Sequence, residues 1–161
     1  MSESKFKTMR HIETVRNYMN YVIRLILYKQ EHHDQTKLES PEVEIFEEYT
    51  PKLRDCTYGS DEYKGFLKEM KVALDHHYSR NRHHPEHFKN GLKQMNLIDL
   101  IEMLCDWKAA SLRHGDGSLM KSIDINQERF GYSDELKEIL KNTGFLFGNG
   151  NDDVFHRADE S

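Results

Sequence analysis

An all-α bundle of about five to seven helices is the fold this sequence predicts. Three observations carry that reading: apolar residues recur at three- and four-residue steps, helix-start and helix-stop residues bracket those stretches, and no segment alternates polar and apolar residues as a strand would.

The elements follow in order. Between Thr8 and Lys29, Ile12, Val15, Met19, Val22, Ile23, Ile26 and Leu27 form the stripe of a long amphipathic helix with His11 near its start. The polar segment His32 to Ser40 follows, and Ser40-Pro41-Glu42 reads as the cap, first position and acidic first turn of a helix running towards Tyr49. Pro51 and the run Asp55 to Gly59 predict a break. Ser60 then caps a helix whose first turn carries Asp61 and Glu62 and whose inward stripe is Tyr63, Phe66, Leu67, Met70, Leu74 and His77. His76 falls off that stripe and reads as a surface residue.

Pro85 and Gly91 break NRHHPEHFKNG into loop plus short helix. Asn96 to Arg113 is the clearest helix, with Leu97, Leu100, Ile101, Leu104 and Cys105 as its expected buried side and Asp99, Glu102 and Asp106 on one polar edge; Asn96 and Asp99 form a capping arrangement at its start. Trp107 reads as core or as one wall of a pocket. His114 to Gly117 is a turn, and Ser133 to Asn142 is a last amphipathic helix ended by Gly144.

With 161 residues the chain suits one helical domain over residues 1–147, and the tail 148–161, which has no apolar periodicity, is expected to be disordered. The longest apolar stretch near the start, Tyr21 to Tyr28, is interrupted by Arg24 and is far short of the roughly 20 residues a spanning helix needs. The N-terminal MSESKFKTMRH has no uninterrupted apolar run of a secretory signal, so a cytoplasmic location is the expectation. Cys56 and Cys105 are too few and too far apart for a disulfide framework or a thiolate zinc knuckle; both are expected as reduced thiols, Cys105 in the core. A net charge of −5 disfavours duplex nucleic acid, which needs a basic face, and leaves room for a small anionic ligand held by local cations. A homo-oligomer is compatible with this composition.

The chemistry-bearing residues stand in one order: His11, then His33-Asp34 with Lys37 three residues on, then the histidine-dense stretch His76 to His87, then Asp106. Imidazoles and carboxylates from several helices are what a divalent ion needs, and a catalytic centre keeps one position open for water. Adjacent side chains such as His33 and Asp34 can serve one ion or bridge two. Arg80 and Arg82 flank the histidine cluster and, with Lys37 and Tyr78, are the candidates for holding a phosphate-bearing substrate. Glu102, one turn before Asp106, is a candidate for orienting a ligand or water.

Through His11, His33-Asp34-Gln-Thr-Lys37 and Cys105-Asp106-Trp107, the chain resembles the HD superfamily of metal-dependent phosphohydrolases. More narrowly, HHYSRNRHHPEHF followed by MNLIDLIEMLCDWKAA resembles a family of small bacterial and phage proteins with an HHPEH motif, from about His11 to Thr143. The HD resemblance implies a helical bundle in which His11, His33, Asp34 and Asp106 bind a first ion. It further implies that His77 and His83 or His84 stand where extended members add histidines for a second. The chain departs from the HD-GYP pattern, having HPEH after its histidines, so a dinuclear site is left open.

The expected function is hydrolysis of a phosphoester in a nucleotide or nucleotide-like substrate by a water activated on one or two divalent ions (Mn, Fe, Co, Zn or Mg). Asp34 would steer the water, and Lys37 with a nearby Arg would neutralise charge. Two other readings share these residues: a diiron oxygenase of the HD type, and a module without enzymatic activity that sequesters a nucleotide or a partner protein, its metal only tying helices together.

Overall fold

The computed structural model describes residues 2–56, 60–113 and 117–148. These form seven α-helices and short 3-10 turns, with no strand among them. The chain divides into two compact units, Met1–Arg82 and His83–Ser161, where the sequence suggested one helical domain over residues 1–147.

The N-terminal unit opens with α1 (Glu3–His32), which extends the predicted helix at both ends; Ser2 caps it by accepting from the Lys5 backbone N–H. His33 and Asp34 follow, then a 3-10 turn over Gln35–Leu38. Asp34 sits in the left-handed region at φ 54°, which a short polar side chain tolerates better than most and which turns the chain sharply out of α1. Next comes α2 (Glu42–Asp55), and here Pro51 does not end the helix but lies inside it. Pro51 and Glu47 are both exposed, so water can satisfy the carbonyl that loses its intrahelical donor. Residues 57–59 of the expected turn lie outside the described residues.

The single helix expected after Ser60 is two, α3 (Asp61–Glu69) and α4 (Lys71–Arg80), meeting at Met70; Ser60 caps the first by accepting from the Tyr63 N–H. In this unit α2, α3, α4 and the 3-10 turn pack on one another. Among the described residues, what they bury is mostly polar: Glu42, His77 and Asn81 alongside Met70 and Ala73.

The C-terminal unit begins with 3-10 turns at Pro85–His87 and Gly91–Gln94 and continues with α5 (Leu97–Ser111), α6 (Leu119–Phe130) and α7 (Asp134–Phe145). The Asn96/Asp99 capping box is present, which makes Asp99 a structural cap, fully buried. The buried residues of α5 are Asp99, Met103, Leu104 and Ser111; of the expected side Leu104 is buried and Leu100 and Ile101 are half-buried, whereas Leu97 is 74% exposed and Cys105 is exposed as well. Partial burial and the neighbouring charges of Glu102 and Asp106 still push the Cys105 thiol up, which keeps it protonated.

The α6 helix lay in a stretch for which the sequence suggested no element. Leu119, Ile123, Tyr132, Leu140 and Leu104 make the core of this unit, with Trp107 and Phe130 stacked at its edge, ring centroids 6.5 Å apart. Gly144 does not terminate α7 as expected: it is buried inside that helix, and a Cβ there would come 2.9 Å from Leu119 Cδ2. Close approach of α6 and α7 is the reason for that glycine. No helix among the described residues is long and apolar enough to cross a membrane. The tail from Asn149 and residues 114–116 lie outside the described residues.

Candidate functional site

The expected site residues fall into two sets, one in each unit. In the N-terminal unit the centre is Asp34. Its Oδ1 lies 3.5 Å from His77 Nε2, and its Oδ2 lies 3.6 Å from His33 Nε2 and 2.6 Å from Lys37 Nζ. The left-handed turn at Asp34 and the 3-10 turn after it bring Lys37 back onto the carboxylate. Lys37 also stands 5.8 Å from the centre of the Phe46 ring.

His77 is buried on α4, as its place on the apolar stripe predicted. Its Nδ1 lies 2.8 Å from Glu42 Oε2, and the other oxygen of the same carboxylate lies 2.7 Å from His76 Nδ1. With Nδ1–H donated to Glu42, the lone pair of His77 is on Nε2 and points at the Asp34 side. Asn81 braces this arrangement, donating to Thr36 Oγ1 at 2.9 Å and to the His77 carbonyl at 2.9 Å. Burial, and then the charge of Lys37, hold His77 below its ordinary pKa, against the opposite pull of Asp34 and Glu42. A neutral imidazole, the form that binds metal, results at neutral pH.

Glu42 is the buried partner of His76 and His77 that sequence reasoning missed, having been read only as an acid in a first helical turn. It heads the half-buried stripe Ile45, Phe46 and Tyr49 at i+3, i+4 and i+7, and an acid in line with such a stripe was the available signal. His76, read as a surface residue, is drawn to the same carboxylate.

In the C-terminal unit His83 is 1% exposed, and its Nδ1 lies 3.2 Å from Glu102 Oε1. His84 packs beside it, ring centroids 4.2 Å apart. Asp106 is half-buried one turn after Glu102 on α5. A glutamate thus stands near Nδ1 of each buried histidine, in hydrogen-bonding geometry at 2.8 Å for His77 and as a close charge contact at 3.2 Å for His83.

Other expected residues are placed differently. His11 is exposed on α1, a continuous helix, and the 21 residues from it to His32 set it about 32 Å along the axis from the His33-Asp34 turn. One chain of this shape does not bring His11 to Asp34, so the ligand role implied for it is corrected. Tyr78 is half-buried on α4, while Arg80 and Arg82 are exposed. His32 caps the end of α1, its Nδ1 2.8 Å from the Tyr28 carbonyl.

Donor sets of imidazole nitrogen and carboxylate oxygen, without thiolate, suit divalent ions such as Mn²⁺, Fe²⁺, Co²⁺ or Zn²⁺. Within the N-terminal unit Asp34 can offer a ligand atom within 4.8 Å of one from His77 or from His33; within the C-terminal unit His83 can do so with His84 or with Glu102. Neither the curated proteins nor the solved structures hold a match to this chain. Over residues 1–145 it matches the model of a family of unknown function, DUF5662, and it belongs to that family.

Proposed function

We propose that this member of DUF5662 is a metal-dependent phosphohydrolase acting on a nucleotide or nucleotide-like phosphoester. The observation that carries the reading is a repeated one: two buried histidines, His77 and His83, each present Nδ1 to a buried or nearly buried glutamate. Carboxylates in that position orient a ligating imidazole and raise its basicity, and a chain that needed only to fill a core would bury apolar residues there.

The proposed ligands are His33, Asp34 and His77 in the N-terminal unit and, as a separate set, His83, His84 and Asp106 in the C-terminal unit. A divalent ion supplies Lewis acidity to a phosphoryl oxygen and makes water nucleophilic near neutral pH. The chain's own groups do the rest. Asp34 accepts a hydrogen bond from an attacking water. Lys37, held on Asp34, presents a cation where the phosphoryl group gains charge. Glu42 fixes the tautomer of His77 through its hydrogen bond to Nδ1, and Glu102 places a negative charge beside His83. Arg80 and Arg82, exposed and near the end of α4, are the cations available to the rest of a nucleotide.

The test is metal content per chain in protein purified without chelators, beside Asp34→Ala and His83→Ala, with turnover of a phosphoester panel in Mn²⁺, Co²⁺, Fe²⁺ or Mg²⁺. Near-stoichiometric metal, lost in the variants, with phosphate release that follows it, is the expected result. A native protein that takes up no ion on reconstitution sinks the proposal, as does a loaded protein that cleaves nothing in the panel.

A further inference from the structure

The α1 helix is 30 residues long and none of them is buried. Twelve of its large apolar side chains, from Phe6 to Tyr28, are between 36% and 71% exposed. Patches of this kind mark interfaces. Along it, Ile12, Val15, Met19, Val22 and Ile26 alternate steps of three and four, the a and d positions of a coiled-coil seam, and the flanking e and g positions between them hold Tyr18, Ile23 and Leu25 with a single charge, Arg16.

We infer that α1 pairs with the α1 of a second copy of this chain, antiparallel, to make a two-fold homodimer. Size fits: pairing Val15 with Ile26 overlaps residues 9–32 of the two helices, about 36 Å of a rod 10 Å across, which turns roughly 570 Å² of each copy towards the other, about 1,100 Å² in all and above the ~1,000 Å² a specific interface needs. A two-fold pair uses one patch twice, so the seam must complement itself. The ends of the seam choose the orientation. Lys5 and Lys29 continue the a and d series, and a parallel pair would set each against its own copy, like charge on like charge. Antiparallel pairing instead stacks Val15 on Ile26 and Met19 on Val22 of the other copy, puts Lys29 beside Ile12, and opposes the helix dipoles. A bilayer is the poorer occupant: the polar side of the helix carries Arg10, Glu13, Arg24 and Glu31, two of each sign, where an anionic membrane surface selects a basic face.

Sedimentation of the full chain at micromolar concentration is expected to give about twice the 19.1 kDa chain mass, and Val22→Asp to return it to one chain with its helical circular dichroism retained. Asn20→Asp, on the polar side, should leave the dimer intact. With Cys56 and Cys105 replaced by Ser, the double variant Val15→Cys/Ile26→Cys should oxidise to a covalent dimer while Val15→Cys alone stays uncrosslinked. A monomeric native chain, a dimer indifferent to Val22→Asp, crosslinking by Val15→Cys alone, or binding of the native chain to phosphatidylserine vesicles each overturns the inference. None of these readouts depends on metal or catalysis.

Discussion

Replacing Glu42 by Gln removes the charge that both His76 and His77 face, and the new amide can accept through only one of its two terminal atoms. One imidazole is left without its acceptor, so unfolding in urea should come about 1–3 kcal/mol sooner. If Glu42 orients a ligand, divalent-ion affinity read by calorimetry should fall roughly 10–100-fold as well; stability lost with affinity unchanged assigns it a structural role alone. Asp34→Asn makes the complementary cut. Asn tolerates the left-handed turn, and Lys37 is 36% exposed, so the lost ion pair costs at most about 1 kcal/mol, while ion uptake by the N-terminal set should be lost.

Tyr132 is a residue-scale probe of the other unit. Burial, and then the charge of Asp124, push its pKa from 10.0 to about 12, and its hydroxyl donates to the Ile123 carbonyl. The folded chain holds that proton more tightly than the unfolded chain. Its contribution is therefore whole below pH 10 and is lost as pH rises towards 12. Denaturation followed across that window should fall more steeply for the native protein than for Tyr132→Phe; parallel curves would show that the phenol does not titrate with unfolding.

Among the elements, α6 and α7 make the sharpest prediction. At Gly144, an added Cβ meets Leu119 Cδ2 at 2.9 Å and the mobile end of Met120 at 3.0 Å. For Gly144→Ala the clash is offset by about 1 kcal/mol of helix propensity, so the net change should be small. Gly144→Val keeps the clash, enlarges it and gains little propensity, and should lose about 1–3 kcal/mol. Equal melting temperatures for the two variants would mean that the helices separate to admit either side chain. On α5 the inward face is turned from the expected one, Leu104 being buried as expected but Leu97 and Cys105 exposed. Leu97 and Cys105 read as inward by hydrophobicity, yet the buried capping carboxylate Asp99 turns the inward face towards Met103.

For the molecule as a whole, the contrast between the two units matters most. The C-terminal unit has an apolar core, whereas the N-terminal unit buries Glu42, His77 and Asn81 around very little apolar surface. Ligand binding should therefore stabilise the N-terminal unit. An ion at 100 times its dissociation constant adds about 2.7 kcal/mol. Thermal unfolding should thus rise with Mn²⁺ and fall back with chelator in the native chain but not in Asp34→Ala; identical curves would argue against the ion.

Much of this was legible in the chain itself. Three- and four-residue spacing and the caps at Ser60, Asn96 and Ser133 determined an all-helical protein and most helix starts, because capping and amphipathic burial are local. His77 was legible for the same reason, lying on a local stripe. What only the tertiary structure decided is which distant groups meet: that Glu42 serves His76 and His77, that Glu102 stands against His83, that Gly144 lets two helices close, and that the chain forms two units. Pairings across 20 to 40 residues depend on how faces rotate when they pack, and no periodicity within one helix records that. His11 marks the limit. Its place in the motif order suggested a ligand, and the rigid length of α1 carries it away from Asp34, because a continuous helix converts sequence separation directly into distance.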